Sequence, residues 1–307
     1  MDMHAGADAP VKGREHWADK DGARLYLWEK KAMTPQRRGT ILFVHGSSMA
    51  STPTFDLQVP GHPDSSAMDH YARLGYDTWT VDFEGYGRST KDRDMTSNIA
   101  DGADDLEITA DYMAAHGADE PLLVYGISSG ALRAAMFAER RPDRVKRLAL
   151  DAFVWTGEGS PTLVERRKKI PEYKAAGRRE IDRAFVRSIF TRDHPGTGDE
   201  RVIEPFADAI LALDDSMPIG TYVDMCENLP LVDPRKIAAP TIVMRGQFDG
   251  IAGFDDLIEF FKLLPNPDKQ FAVMPGIAHA SLQQKNYAIV YHILDSFFSQ
   301  PEPVYRG

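Results

Sequence analysis

The sequence predicts an α/β fold, a doubly wound and mostly parallel sheet with helices on both faces, interrupted once by a helical cap insertion. Three observations predict it. Short apolar runs of strand length alternate with amphipathic stretches of helix length. The run Thr40-Ile41-Leu42-Phe43-Val44 is apolar almost without a break, as a strand buried on both faces must be. The alternation stops at Trp155 and resumes near Thr241.

In chain order, residues 23–29 read as a first strand and Thr34-Pro35-Gln36 as a turn before Gly39. The buried strand at 40–44 is followed by a long loop from His45 to about Pro63, a length that in compact domains usually serves function. A helix through Met68, Tyr71, Ala72 and Leu74 stops at Gly75 and feeds a strand at 77–81. A helix over 98–116 with Gly117 as its stop, a strand at 122–125, a helix over 130–140 and a strand at 147–150 continue the pattern. Residues 155–234 are largely helical, basic at first, with no convincing strand. The alternation returns with a strand at 241–244, a helix through Leu257, Phe260 and Phe261, a strand at 270–273 and a last helix over 287–298. The expected division is an N-terminal extension over 1–22, a core over 23–154 and 235–300, and a cap over 155–234. Phe297 and Phe298 are candidates for a homodimer contact, with burial against the sheet as the simpler account.

Composition narrows the function. A hydrophobic share of 43% and a charged share of 27% suit a soluble globular chain. The net charge of −10 argues against a nucleic-acid partner, because phosphate binding relies on Lys and Arg displacing counterions. Charged and polar residues interrupt every apolar segment before the ~20 residues a membrane span needs, so no membrane insertion is expected. The polar start from Met1 to Trp17 lacks the pattern of a secretory signal, which makes the cytoplasm the expected location. Cys226 is the one cysteine, so an intrachain disulfide and a thiolate metal cluster are excluded.

Gly126-Ile127-Ser128-Ser129-Gly130 fits G-x-S-x-G between an apolar strand and a helix, the context of a strained turn that presents a serine at a helix head. The plainer reading is an ordinary strand-to-helix turn. A serine hydroxyl needs a base, and the base needs an orienting group. Asp249 follows the strand at 241–244, and His279 follows the strand at 270–273. Asp249 as a helix cap and His279 as an ordinary loop histidine are the bland alternatives. They weaken jointly, because all three residues stand just past C-terminal strand ends, where open α/β sheets bind ligands. Backbone donors for an oxyanion are expected from Ser129 and from Ser47, with Ser48 in reserve. Asp151, ending the strand before the cap, competes with Asp249 for the acid role.

Together with Leu42-Phe43-Val44-His45-Gly46 and Asp82-Phe83-Glu84-Gly85-Tyr86-Gly87-Arg88-Ser89, these segments resemble the α/β-hydrolase superfamily over about residues 23–298. The order Ser128, Asp249, His279 is that family's order. Glu84 stands where the family's Asp-x-Arg-Gly-x-Gly-x-Ser turn has arginine. The resemblance implies that the helical insertion covers the pocket and selects substrate, with His45, Phe153, Trp155, Phe206, Met217 and Met225 as candidate pocket residues against the plainer role of core packing.

The expected activity is hydrolysis of a carboxylic ester or lactone through an acyl-enzyme, with a small-molecule ester, lactone or amide as substrate. Amide hydrolysis, C–C bond hydrolysis, acyl transfer and a non-catalytic receptor stay open. Haloalkane dehalogenases and epoxide hydrolases place an Asp where this chain has Ser128. The histidines show no metal-ligand spacing, and Gly85 and Gly87 lack the G-x-G-x-x-G pattern, so neither a metal nor a nucleotide cofactor is expected. Arg166-Arg167-Lys168-Lys169 and Arg178-Arg179 read as a solvated helix face, or as a basic patch attracting anionic substrates.

Overall fold

The computed structural model describes residues 10–305. Its frame is an eight-stranded sheet in the order β1-β2-β4-β3-β5-β6-β9-β10. The strands are β1 (Gly13–Lys20), β2 (Ala23–Lys30), β3 (Gly39–Val44), β4 (Tyr76–Asp82), β5 (Leu122–Ile127), β6 (Val145–Asp151), β9 (Thr241–Gly246) and β10 (Lys269–Met274). From β4 to β10 every neighbouring pair is parallel, while β1 and β2 add an antiparallel edge.

The pleat explains why the central strands are apolar throughout. In β3, Ile41 and Phe43 enter one buried cluster with Tyr125, Met244, Val290 and Leu294, while Leu42 and Val44 enter the other with Val124, Leu132, Leu148 and Val243. Successive side chains point to opposite faces, and each face is covered by helices. The first cluster packs under α2 (Ala67–Arg73) and α11 (Tyr287–Phe298), the second under α3 (Ile99–Ala115), α4 (Ser129–Arg140) and α10 (Phe254–Leu263). Asn98 and Asp101 start α3 with a reciprocal capping box. Phe297 and Phe298 are buried against the sheet, so the candidate dimer contact of the last helix is occupied within the chain.

Two differences from the sequence reading concern strands. Residues 13–20 are not part of an extension: they form β1, joined to β2 by Asp21-Gly22, both at positive φ as a two-residue primed hairpin turn requires. The inward positions of β1 are His16 and Ala18, so no apolar alternation advertised it, although the Asp-Gly pair was a readable signal. Residues 1–9 of that expected extension lie outside the described residues. The segment between β6 and β9 contains a two-stranded antiparallel pair, β7 (Arg178–Glu180) with β8 (Ser216–Pro218), too short to read from sequence.

That segment otherwise carries the helices α5 (Pro161–Arg167), α6 (Ile170–Ala175), α7 (Arg183–Thr191), α8 (Glu200–Leu211) and α9 (Gly220–Val223), the last running into a π-helical turn at Asp224–Asn228, with a 3-10 turn at Pro234–Lys236 before β9. The buried faces of α7 and α8 meet through Phe190 and Phe206, whose rings pack edge-on at 5.2 Å. The long loop after β3 carries a one-turn helix, α1 (Ser51–Phe55). Glu84, which departs from the family pattern, is buried and ion-paired with Lys20 of β1 at 3.3 Å and with Arg93 at 3.1 Å. Its inverted charge is answered by basic residues on neighbouring segments. Among the described residues, no helix is long and apolar enough to cross a membrane.

Backbone meets backbone closely where β3 meets the start of α4. A Cβ on Gly130 would stand 2.3 Å from the Val44 carbonyl oxygen and 2.4 Å from that of His45. We expect Gly130→Ala to lose more than about 3 kcal/mol of stability, or not to fold, because backbone rather than a side chain blocks the methyl group. Urea denaturation measures this, and a loss within about 1 kcal/mol would contradict the contact.

Candidate active site

Ser128 sits between the end of β5 and the first turn of α4 with φ 59 and ψ −127, a conformation that costs a non-glycine residue roughly 1–3 kcal/mol. The surroundings over-determine it. Its N–H donates to the Asp151 carbonyl at 2.9 Å, and its own carbonyl accepts from the Ala131 N–H at 2.9 Å. Gly126 is glycine because a Cβ there would meet the Gly130 carbonyl oxygen at 2.6 Å.

His279 follows β10, and its Nε2 lies 2.8 Å from Ser128 Oγ. Its Nδ1 lies 3.1 Å from each oxygen of Asp249, which follows β9. The two loops are knitted together: the Phe248 N–H donates to the Ile277 carbonyl at 2.9 Å, and the Gly276 N–H to Gln247 Oε1 at 2.9 Å. Arg245 bonds four carbonyls of the Asp249 loop, those of Gly246, Gln247, Asp249 and Ala252. Burial alone would push the Asp249 carboxyl up. His279 and the N–H groups of Ile251 and Ala252 outweigh it and bring the group down to about 2, so it stays ionised throughout the neutral range.

Asp151 is the contrasting carboxyl. It is fully buried, and Oδ2 accepts from the hydroxyls of Tyr125, at 2.7 Å, and Ser281. Burial dominates and lifts it to about 6, with the Asp249 charge adding to the rise. No bond joins it to His279 among the described residues. It ties β6 to the segment just after His279 through Ser281.

The loop after β3 closes the site from the other side. Gly46 lies so near that a Cβ there would stand 3.3 Å from Ser128 Cβ. No hydrogen bond engages the Ser47 or Ser129 amide among the described residues, whereas the Ser47 carbonyl accepts from Tyr86 at 3.1 Å. Ser48 Oγ lies 3.2 Å from the Tyr222 hydroxyl.

The candidate pocket residues stand elsewhere. The cavity at Ser128 is lined by Gly46, Ser47, Ser48, Met49, Thr54, Ile127, Arg166, Ile189, Arg192, His279, Ala280 and Gln283. His45 is fully buried beneath it, with Nδ1 2.7 Å from the Gly46 carbonyl and Nε2 accepting the Phe83 N–H at 3.2 Å. Burial, reinforced by Arg133, holds it down at about 3, so it is a neutral joint between two loops. Phe153 and Trp155 pack on Phe260, and the Trp155 indole donates to the Val232 carbonyl at 3.0 Å. Phe206, Met217 and Met225 are buried in the main core. The aromatic candidates were claimed by packing, and the cavity is lined by a mixture of polar, cationic and medium-sized apolar residues. Sequence reasoning missed Arg192, Ile189, Thr54 and Gln283, none of which belongs to a motif.

Asp193, Asp249 and His279 bring one ligand atom each within 4.8 Å of one another. Both imidazole nitrogens already face partners, Asp249 and Ser128, so the group offers a metal no free nitrogen. The amides of Gly85 and Gly87 donate to Thr90 and Asp214, which leaves neither for a phosphate.

The family model described as Serine aminopeptidase, S33 matches residues 35–286. Among solved structures, a monoacylglycerol lipase from Paleococcus ferrophilus superposes with a TM-score of 0.66 at 17% identity, covering 90% of this chain and 98% of its own. A thermophilic esterase from Thermogutta terrifontis gives 0.63 at 21%, covering 92% and 97%. An epoxide hydrolase from Vigna radiata gives 0.67 at 15%, covering 92% and 97%. Their different chemistries on one architecture mean that these likenesses establish the fold alone. No curated protein matches the chain.

The sign of the Asp151 effect on stability follows from its raised value. Its contribution is full below 3.8 and is lost as pH rises through about 6. We expect Asp151→Asn to gain about 3 kcal/mol on wild type between about pH 3.5 and about pH 7. Chemical denaturation at both pH values reads it, and a pH-independent difference would contradict the assignment.

Proposed function

Because the chain belongs to the serine aminopeptidase S33 family of α/β hydrolases, we propose that it cleaves a carboxylic ester or lactone through an acyl-enzyme on Ser128. One observation carries this reading: a single imidazole lies 2.8 Å from the Ser128 oxygen and 3.1 Å from both oxygens of an ionised, buried carboxylate.

In the proposed mechanism, Ser128 Oγ attacks the carbonyl carbon as His279 Nε2 takes its proton. Asp249 holds Nδ1–H and stabilises the imidazolium. The negative charge on the former carbonyl oxygen meets the Ser47 and Ser129 amides, whose freedom from other bonds suits that task. His279 then protonates the departing alcohol. Water takes the vacated place and attacks the acyl carbon as His279 Nε2 takes its proton; His279 then returns that proton to Ser128 Oγ as the Ser128–acyl bond breaks and the acid leaves. The turn strain at Ser128 holds the oxygen in place before substrate arrives, and the 155–234 segment acts as a cap that walls the cavity with Arg166, Ile189 and Arg192. Amide hydrolysis by the same steps is the second reading, favoured by the description of the family as aminopeptidases.

A screen of p-nitrophenyl esters, lactones and aryl amides tests this. Ser128→Ala should fold as wild type does and lose at least about 10³-fold in kcat. Asp249→Asn should lose roughly 10⁴-fold, and more than Asp151→Asn, whose carboxyl does not touch the imidazole. Full activity in Ser128→Ala, or a greater loss from Asp151→Asn, would overturn the assignment.

A further inference from the structure

Cations on the 155–234 segment fall into two groups. On the outer surface they are matched: Lys168 with Glu165 at 2.6 Å, Lys174 with Glu227 at 2.6 Å, Arg183 with Glu204 at 2.8 Å and Arg187 with Glu200 at 2.9 Å. Arg167 donates to the Cys226 carbonyl at 3.1 Å, and Arg178 to the Gly85 carbonyl at 3.0 Å.

Arg166, Arg179 and Arg192 differ. Arg166 and Arg192 border the cavity that holds Ser128 and His279, and both also border an adjoining chamber with Arg179, Lys169, Tyr173 and Tyr222. The Arg166 guanidinium lies 4.5 Å over the Tyr222 ring, and that of Arg179 lies 4.4 Å over the Phe185 ring. Neither makes an ion pair among the described residues. Arg192, with only 23% of its side chain exposed, has Asp193 at 3.3 Å. The other carboxylate of the chamber, Glu165, is already matched by Lys168.

The excess positive charge registers on a neighbour. Burial alone would push the Tyr222 phenol up, yet Arg166, the Ser48 hydroxyl, Arg192 and Arg179 together bring it below its usual value. Partly buried guanidinium groups without counter-charges are costly unless an anion answers them. A guanidinium stacked on a ring still presents its N–H edge, the edge that matches a carboxylate. Arg166 and Arg192 line both cavities, so an anion held between them stands next to the cavity that holds Ser128.

Resting on the hydrolase reading above, we infer that the substrate is an ester carrying a carboxylate, which Arg166 and Arg192 bind while its ester carbonyl lies at Ser128 Oγ. Arg179 and the Tyr222 hydroxyl stand behind them. This deepens the basic-patch expectation and changes its members: Arg167 and Arg178 serve the fold, and Arg192 joins.

The test compares isosteric pairs that differ in charge. Monobutyl glutarate against the butyl ester of glutaramic acid places the carboxylate on the acyl side. The pair 4-butanoyloxybenzoate and 4-butanoyloxybenzamide places it on the leaving group. Wild type should favour the anionic member of at least one pair by about tenfold or more in kcat/KM, chiefly through KM. That ratio should fall about tenfold in Arg166→Gln and in Arg192→Gln, and fall less in the Arg→Lys variants. Because it is a ratio, it does not depend on the fraction of each variant that folds. A wild-type ratio near one in both pairs, or a ratio indifferent to both glutamine substitutions, would overturn the inference. If no ester is turned over in a Ser128-dependent way, the hydrolase reading fails separately. Calorimetric binding of glutarate to Ser128→Ala then decides the anion site: binding that Arg166→Gln abolishes upholds it, and no binding, or binding that survives, refutes it.

Discussion

Two carbonyl oxygens, those of Val44 and His45, occupy the space that a side chain on residue 130 would need. That approach brings the end of β3 against the first turn of α4, and it has two consequences at once. The chain must turn sharply between Gly126 and Gly130, which leaves Ser128 at positive φ. The loop beginning at Gly46 is brought beside Ser128, so Ser47 lines the same cavity as Ser128. Strain of this size persists only where the framework is stiff, and the strands on either side, β3 and β6, are buried on both faces.

Two carboxylates beside one imidazole show how surroundings divide similar groups. Asp249 and Asp151 end neighbouring strands and are both buried. Asp249 receives two backbone N–H groups and the imidazole, which favour its charge. Asp151 receives two hydroxyls, too little to offset burial. The two carboxyls are thereby driven far apart in acidity, and the imidazole faces the more acidic one, which stays ionised well below neutral pH. Asp151 still matters to the site, because its bond from Ser281 fixes the chain just beyond His279.

The 155–234 segment adds chemistry of another kind. Its apolar side chains, Phe190, Phe206, Met217 and Met225 among them, merge with the core of the sheet and leave the cavity wall to Arg166, Arg192 and a few small or medium side chains. The resulting cavity has Ser128 and His279 on one side and the guanidinium groups of Arg166 and Arg192 on the other, the first without an ion pair among the described residues and the second beside Asp193.

The parallel strands, the helices between them and the order of Ser128, Asp249 and His279 were legible because each is a local pattern: an apolar run, a helical period, a short motif at a strand end. β1 was not, because its inward residues are His16 and Ala18 and its burial depends on β2. The pocket was not, because an aromatic or methionine in a helix looks the same whether it faces a core or a cavity. Arg166 and Arg192 lie far from Ser128 in sequence, and nothing local distinguishes them from Arg167 or Arg178, which the fold consumes. By itself the sequence determined the architecture and placed Ser128, Asp249 and His279 at strand ends, since strand period and turn geometry act over a few residues. Which carboxylate meets the imidazole, and which cations border the Ser128 cavity, only the tertiary structure decided, since both depend on contacts between segments distant in sequence.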